Sequence, residues 1–221
     1  MLNEADDELF TKHISLLEDQ IVNHFPDAAK AGEIMAALRK IPRHLFVDPA
    51  YRYLAYTDNA IPTCNGLTTS APSVIAECIF QSGAGKGWKI LEIGTGSGYE
   101  AAVLAAMGCR VFSVEMDTRL YSWARRVLSD LGYGSVMLFN KNGKAGCAEH
   151  SPFHAILVAA SVPNLDSVKP LSIQLYEGGG RLVVPVGGRQ AQELCIIVRH
   201  GKEFQVLRQE DVSYSFVRLT G

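Results

Sequence analysis

The sequence predicts an α/β fold: a doubly wound, mostly parallel seven-stranded sheet with an N-terminal helical extension. Three observations carry this expectation. From Lys89 onward, strand-like and helix-like stretches alternate. The apolar run Lys89-Ile90-Leu91-Glu92-Ile93 breaks into a turn with Gly94, Gly96 and Gly98 at alternate positions, and the next β-rich run, residues 110–115, closes on Glu115. At 221 residues the chain reads as one domain, with 1–85 a helical and loop extension and 86–221 the sheet with a C-terminal hairpin.

Residues 6–40 carry apolar side chains at helical spacing: Leu9, Ile14, Leu17, Ile21 and Val22, then Ile34, Met35 and Leu38 after a break at Pro26. Two helices are expected there. Residues 41–70, rich in Pro, Tyr, Asn and Thr, read as irregular connection. Pro72 suits the first turn of a helix running to about Gln81, because the N–H it lacks is one that a helix start leaves unbonded. Strands are expected near 89–93, 110–114, 135–139, 154–158, 181–186, 193–199 and 204–212, and helices near 98–107, 117–131 and 166–176. Gly201 marks a hairpin between the last two strands.

Composition narrows the class of partner. Hydrophobic residues make up 48% and charged ones 20%, an ordinary balance for a globule, and 21 basic against 23 acidic side chains leave a net charge of −2. No nucleic-acid or membrane partner follows from such a balance. No apolar run is long enough to span a bilayer, and the acidic N-terminus lacks the pattern of a signal peptide. Five cysteines, odd in number and scattered without a C-x-x-C pair, predict reduced core thiols in a cytoplasmic protein rather than a disulfide framework or zinc site.

Glycine accepts positive φ and has no side chain to hold a ligand off the backbone, so the turn at 94–98 lets main-chain N–H groups approach a cofactor. A tight turn without a ligand is the plainer alternative. The dinucleotide fingerprint G-x-G-x-x-G would need a glycine where Tyr99 stands, so nicotinamide and flavin cofactors fit poorly. An acid two before the first glycine, followed by G-x-G-x-G, resembles instead motif I of S-adenosylmethionine-dependent methyltransferases, a Rossmann-like fold. The resemblance implies S-adenosyl-L-methionine as cofactor, S-adenosyl-L-homocysteine as product, and a second acid that accepts the ribose hydroxyls. Glu115, 21 positions after Gly94, fits that place. The cofactor-binding set is then Glu92, Gly94, Thr95, Gly96, Ser97, Gly98, Glu115, Asn142 and Gly143, with Asn142 in Phe139-Asn140-Lys141-Asn142-Gly143 facing the adenine amine.

Ser70, in Thr68-Thr69-Ser70-Ala71-Pro72, has two readings. From pattern alone, a helix cap is slightly favoured over a substrate contact. Longer stretches carry a further resemblance. Residues 39–47 with 51–58, Gly66-Leu67-Thr68-Thr69-Ser70-Ala71-Pro72, Leu91 to Val103, Gly179 to Gly187 and Phe216-Val217-Arg218-Leu219-Thr220-Gly221 resemble the protein-L-isoaspartate (D-aspartate) O-methyltransferase family over about residues 15–221.

That resemblance implies methyl transfer to the free α-carboxylate of isoaspartyl residues in damaged proteins and peptides, with repair following through a succinimide. It assigns Ser70 to orient the substrate carboxylate, Thr68 to shape the same loop, and Val217 and Leu219 to lie along the bound peptide. A monomer acting on isoaspartyl peptides is expected. The chain departs from the family pattern in having Asn142 for an aspartate, His154 for an aspartate, Arg218 for a proline and Ser73 where many members carry histidine. His154 is expected to be structural, and Arg218 to alter which peptides fit. A different methyl acceptor, or a non-catalytic paralogue acting as a binding module, are the alternatives.

Overall fold

The computed structural model describes residues 14, 25–63, 66–188 and 191–220, with the backbone alone over 210–213. Ile14 is helical and buried, while the rest of the first expected helix lies outside the described residues. After the bend at Pro26, Asp27 starts helix α1 (Ala28–Leu38) by accepting from Lys30 N at 3.0 Å. Residues 41–70 are more ordered than expected. They form 3₁₀ turns at Arg43–Phe46 and Pro49–Leu54, and β1 (Ile61–Pro62) pairs antiparallel with β2 (Thr68–Thr69).

Helix α2 (Pro72–Ser82) begins on Pro72 and ends at Gly83, whose φ of 68° closes the last turn. Its N-cap residue is Ala71, and the donor at Ser73 N is taken by Asp58 Oδ1 at 2.9 Å. The capping reading of Ser70 is therefore incorrect: an aspartate 15 residues upstream does that work.

The remaining elements alternate: β3 (Lys89–Ile93), α3 (Tyr99–Ala106), β4 (Arg110–Glu115), α4 (Thr118–Asp130), β5 (Met137–Asn140), β6 (Ala155–Val158), the short α5 (Lys169–Ser172), β7 (Gly178–Gly187), β8 (Gln192–His200) and β9 (Glu203–Tyr214). The large sheet has the order β5-β4-β3-β6-β7-β8-β9. Its first five members run parallel, and β8 and β9 are antiparallel additions that turn at Gly201. Alternate residues feed two buried layers, as a sheet covered on both faces requires. Ile90, Val111 and Leu157 pack under α1, α2 and α3, while Leu91, Phe112 and Ile156 pack on the side of Val168 and Leu171. His154 accepts from Lys89 N at 3.1 Å and stacks on Trp88 with centroids 5.4 Å apart, a structural role as expected.

The helix expected over 166–176 is not continuous. A 3₁₀ turn, Leu165–Val168, precedes α5, and the backbone then leaves the helix because Phe153 forms a parallel bridge with Leu175: Phe153 N donates to Gln174 O at 2.8 Å and Tyr176 N to Phe153 O at 2.7 Å. Among the described residues no helix is long and apolar enough to cross a membrane, and Cys78, Cys109, Cys147 and Cys195 are all free thiols. Cys64 lies outside the described residues.

Gly98 stands where α3 meets α4, at φ 87°, and a Cβ there would lie 3.2 Å from Ala124 Cβ and 3.3 Å from Leu128 Cδ1. Gly98→Ala is expected to lower stability by about 2 kcal/mol through backbone strain and overpacking. Urea denaturation measures this, and an unchanged midpoint would contradict the packing role.

Candidate active site

Strand order reverses between β3 and β6, so the turns leaving these two strands diverge and open a crevice beyond their carboxyl ends. A cavity of about 450 Å³ lies there. The turn after β3, the turn after β4, the β2 loop and the C-terminal segment wall it, and Thr68, Ser70, Glu92, Gly94, Thr95, Gly96, Ser97, Glu115, Gly143, Val217 and Leu219 all line it. Two expected cofactor residues fall outside the lining. Gly98 packs α3 against α4, and Asn142 uses its Oδ1 to accept from Lys144 N at 2.9 Å, starting a 3₁₀ turn. Its neighbour Gly143 lines the cavity instead, and only glycine fits there, since a Cβ would sit 2.5 Å from Ile93 Cγ2.

The glycine turn is tied to the neighbouring strand: Gly94 N and Thr95 N both donate to Val114 O, at 2.8 and 3.2 Å. At Gly96, φ is 54° and a Cβ would meet nothing within 4 Å. Glu115 is buried, and its Oε2 accepts from Gly96 N and its Oε1 from Asp117 N, each at 2.9 Å. One carboxylate thus fixes both turns, and each of its oxygens keeps capacity for another donor. A vicinal diol is the complementary group.

The β2 loop hangs on Arg43, a residue the sequence reading overlooked because nothing in the pattern separates it from its basic neighbours. Its buried guanidinium donates through Nη1 to Ala55 O (2.9 Å) and Thr57 O (3.1 Å), and through Nη2 to Asn59 O (3.0 Å) and Ser70 O (2.9 Å). It also lies over the Tyr99 ring, 5.7 Å from the centroid, and burial pushes the Tyr99 phenol up to about 12. A second tie, Ser97 Oγ donating to Thr69 Oγ1 at 3.1 Å, joins loop to glycine turn. At the opposite wall, Ser161 N donates to Val217 O at 2.7 Å and Leu219 N to Ser161 O at 2.9 Å, so Arg218 between them also lines the cavity.

The cavity contains two acids in an unusual condition. Ser113 Oγ donates to Glu92 Oε2, but Glu92 Oε1 and Glu100 Oε1 are buried without a hydrogen-bond partner. Burial first, then the charge of Glu100, raises the Glu92 carboxyl well above the ordinary range, the Ser113 bond opposing; burial raises Glu100 to about 7. Glu100 was also overlooked, though a signal existed. In Tyr99-Glu100-Ala101-Ala102-Val103-Leu104-Ala105-Ala106 it is the single charged side chain of a helix apolar on every face, which is the pattern of a helix buried all round. Orphaned acceptor oxygens in a cavity call for a ligand that brings hydrogen-bond donors and positive charge. S-adenosylmethionine has an ammonium group, a sulfonium centre and a sugar diol, so these residues fit it.

The same groups make stability depend on pH. A carboxyl whose folded pKa of about 7 exceeds its unfolded value near 4.5 stabilises the fold fully below pH 4.5, and that contribution is lost as pH rises to 7. The ligand-free protein is expected to lose up to about 3 kcal/mol through Glu100 across that window. Glu100→Gln should flatten the fall, as read by melting temperature against pH; an identical slope would contradict the shift.

Comparison with known proteins identifies the family. The family model for protein-L-isoaspartate(D-aspartate) O-methyltransferase (PCMT) matches residues 16–221. "Protein-L-isoaspartate O-methyltransferase 1" of Syntrophobacter fumaroxidans is 47% identical over 171 residues, covering 77% of this chain and 78% of that one. A relative of the same name without the numeral, from Gloeobacter violaceus, is 40% identical over 196 residues, covering 88% and 93%. A solved protein-L-isoaspartate O-methyltransferase superposes with a TM-score of 0.79 at 25% identity, over 98% of this chain and 66% of that one. A Plasmodium falciparum structure in complex with S-adenosyl-L-homocysteine shares the fold, with a TM-score of 0.76 at 21% identity over 94% and 98%. With the family model covering nearly the whole chain and these relatives extending over most of it, the chain belongs to the protein-L-isoaspartate(D-aspartate) O-methyltransferase family.

Proposed function

We propose that the chain methylates the free α-carboxylate of L-isoaspartyl residues in damaged proteins and peptides, using S-adenosyl-L-methionine. The observation that carries the proposal is the meeting, in one cavity, of Ser70 on its clamped loop with the glycine turn and Glu115. When bound, the cofactor supplies a methyl group on a sulfonium centre. Glu115 would accept from the two ribose hydroxyls, the backbone of Gly94 to Ser97 would hold the methionyl arm, and Gly143 would leave room for the adenine. Asn142, occupied with its own turn, contributes less to adenine than an aspartate facing the cavity would.

Ser70 donates its hydroxyl to the acceptor carboxylate and holds it in line with the methyl group. That carboxylate is ionised at neutral pH, so no general base is required. Catalysis then rests on alignment and on excluding water, for which Ala159, Ala160, Val217 and Leu219 supply apolar wall. The following backbone nitrogen then attacks the ester carbonyl and expels methanol, which carries off the amide proton, and water opens the resulting succinimide partly to normal aspartate. Thr68 shapes the loop, and Val217 and Leu219 guide the peptide. The free thiols of the described residues support a cytoplasmic protein, and the same reading makes it a monomer whose partners are such peptides.

The test incubates the protein with radiolabelled S-adenosylmethionine, an isoaspartyl peptide and its normal aspartyl twin. Label on the isoaspartyl form alone is expected. Cofactor binding without transfer to either peptide overturns the substrate, and absence of binding overturns the enzyme.

Ser70→Ala is expected to lower turnover about tenfold to a hundredfold. Affinity for S-adenosylhomocysteine and the melting temperature should stay unchanged, because the hydroxyl caps no helix. A loss of melting temperature without loss of turnover contradicts the assignment.

A further inference from the structure

Glu100 takes no part in the chemistry above. It is the second residue of α3, is 9% exposed, and lines both the main cavity and a smaller pocket beneath Ser70. Its Oε1 has no hydrogen-bond partner, and Glu92, which lines the same cavity, carries a second such oxygen. The titratable and charged groups around it are Glu92 from β3, Glu115 from the end of β4, Asp117 beyond it, the Cys78 thiol from α2, and Arg218 from the C-terminal segment. Glu100 forms no ion pair with any of them.

The placement of the cofactor's sugar and methyl group, taken from the function proposed above, says which part of it reaches Glu100. With the sugar on Glu115 and the methyl directed at Ser70, the amino-acid arm on the same sulfur is left to Ser97 and Glu100, which line the same cavity, Glu100 also sharing the smaller pocket with Ser70. At that end the sulfonium has no hydrogen to donate, whereas the α-ammonium has three. We propose that Glu100 is a cofactor-binding residue, forming with Glu92 a buried carboxyl pair that accepts hydrogen bonds from the α-ammonium group of the methionyl arm.

A proton balance follows. Without ligand, burial keeps Glu100 protonated up to about pH 7. The arriving ammonium replaces that proton: the carboxyl O–H ionises, H⁺ passes to solvent, and no other bond changes. Affinity therefore rises with pH up to about 7 and then levels.

The experiment is calorimetric titration of wild type and Glu100→Gln at about pH 6.5, in two buffers of different ionisation enthalpy. One ligand is S-adenosylhomocysteine, which keeps the ammonium; the other is 5′-methylthioadenosine, which lacks the amino-acid arm. Wild type is expected to release roughly 0.7 of a proton per S-adenosylhomocysteine. Glu100→Gln should release almost none and bind it about tenfold or more weakly, with 5′-methylthioadenosine bound alike by both proteins. Unchanged affinity and proton release in the variant overturn the role of Glu100, as does an equal loss for both ligands, which marks a general defect of the cavity. Wild type binding neither ligand overturns the cofactor itself, a separate and recognisable failure.

Discussion

One guanidinium supports the Ser70 side of the cavity. Arg43 reaches from a 3₁₀ turn to four backbone carbonyls spread over residues 55–70, and no carboxylate among the described residues pairs with it. Desolvation lowers its pKa, with the Tyr99 and Asp58 charges opposing. The segment it organises has only a two-residue ribbon of its own, so its shape comes from side-chain bonds rather than a backbone ladder. Four buried or half-buried carbonyls left without a donor would cost several kcal/mol, about 1–3 each when fully desolvated. Because Asp58 also starts α2 and the Tyr99 ring starts α3, the loop bearing Ser70 and the two helices beside it share this support.

The other half of the site needs no such clamp. A doubly wound sheet parts its connections where strand order reverses, and the turns after β3 and β4 meet there by topology alone. Glu115 then locks them, accepting from one N–H of each. The two halves differ in kind: a glycine-turn side fixed by the sheet and a Ser70 side hung on a buried cation. The hydroxyls of Thr69 and Ser97 bond directly between them.

This difference explains what the sequence made legible. Strands buried on both faces announce themselves as apolar runs, and a glycine turn followed by an acid at the next strand's end has few physical interpretations, so Leu91 to Gly96 and Glu115 were readable from spacing. Residues 41–70 were not, because their order depends on one arginine contacting carbonyls distant in sequence, and carbonyls carry no side-chain signature. Likewise Ser70 has the chemistry of a cap, but Asp58 occupies the donor it would have taken. Gly98 belongs to the glycine pattern yet serves helix packing, which spacing cannot separate from ligand approach. The helix expected over 166–176 failed where Phe153 competes for the backbone of 174–176, a contact between segments some twenty residues apart.

The thiols bear on how long such a molecule lasts. Burial holds Cys78 well above the ordinary range, Cys109 at about 11, and Cys147 and Cys195 also upward, so at neutral pH almost none of them is thiolate. The thiolate is what attacks peroxides and disulfides, so these four side chains age slowly under oxidants. A catalyst that mends chemically worn chains is thereby shielded from one of the common kinds of wear.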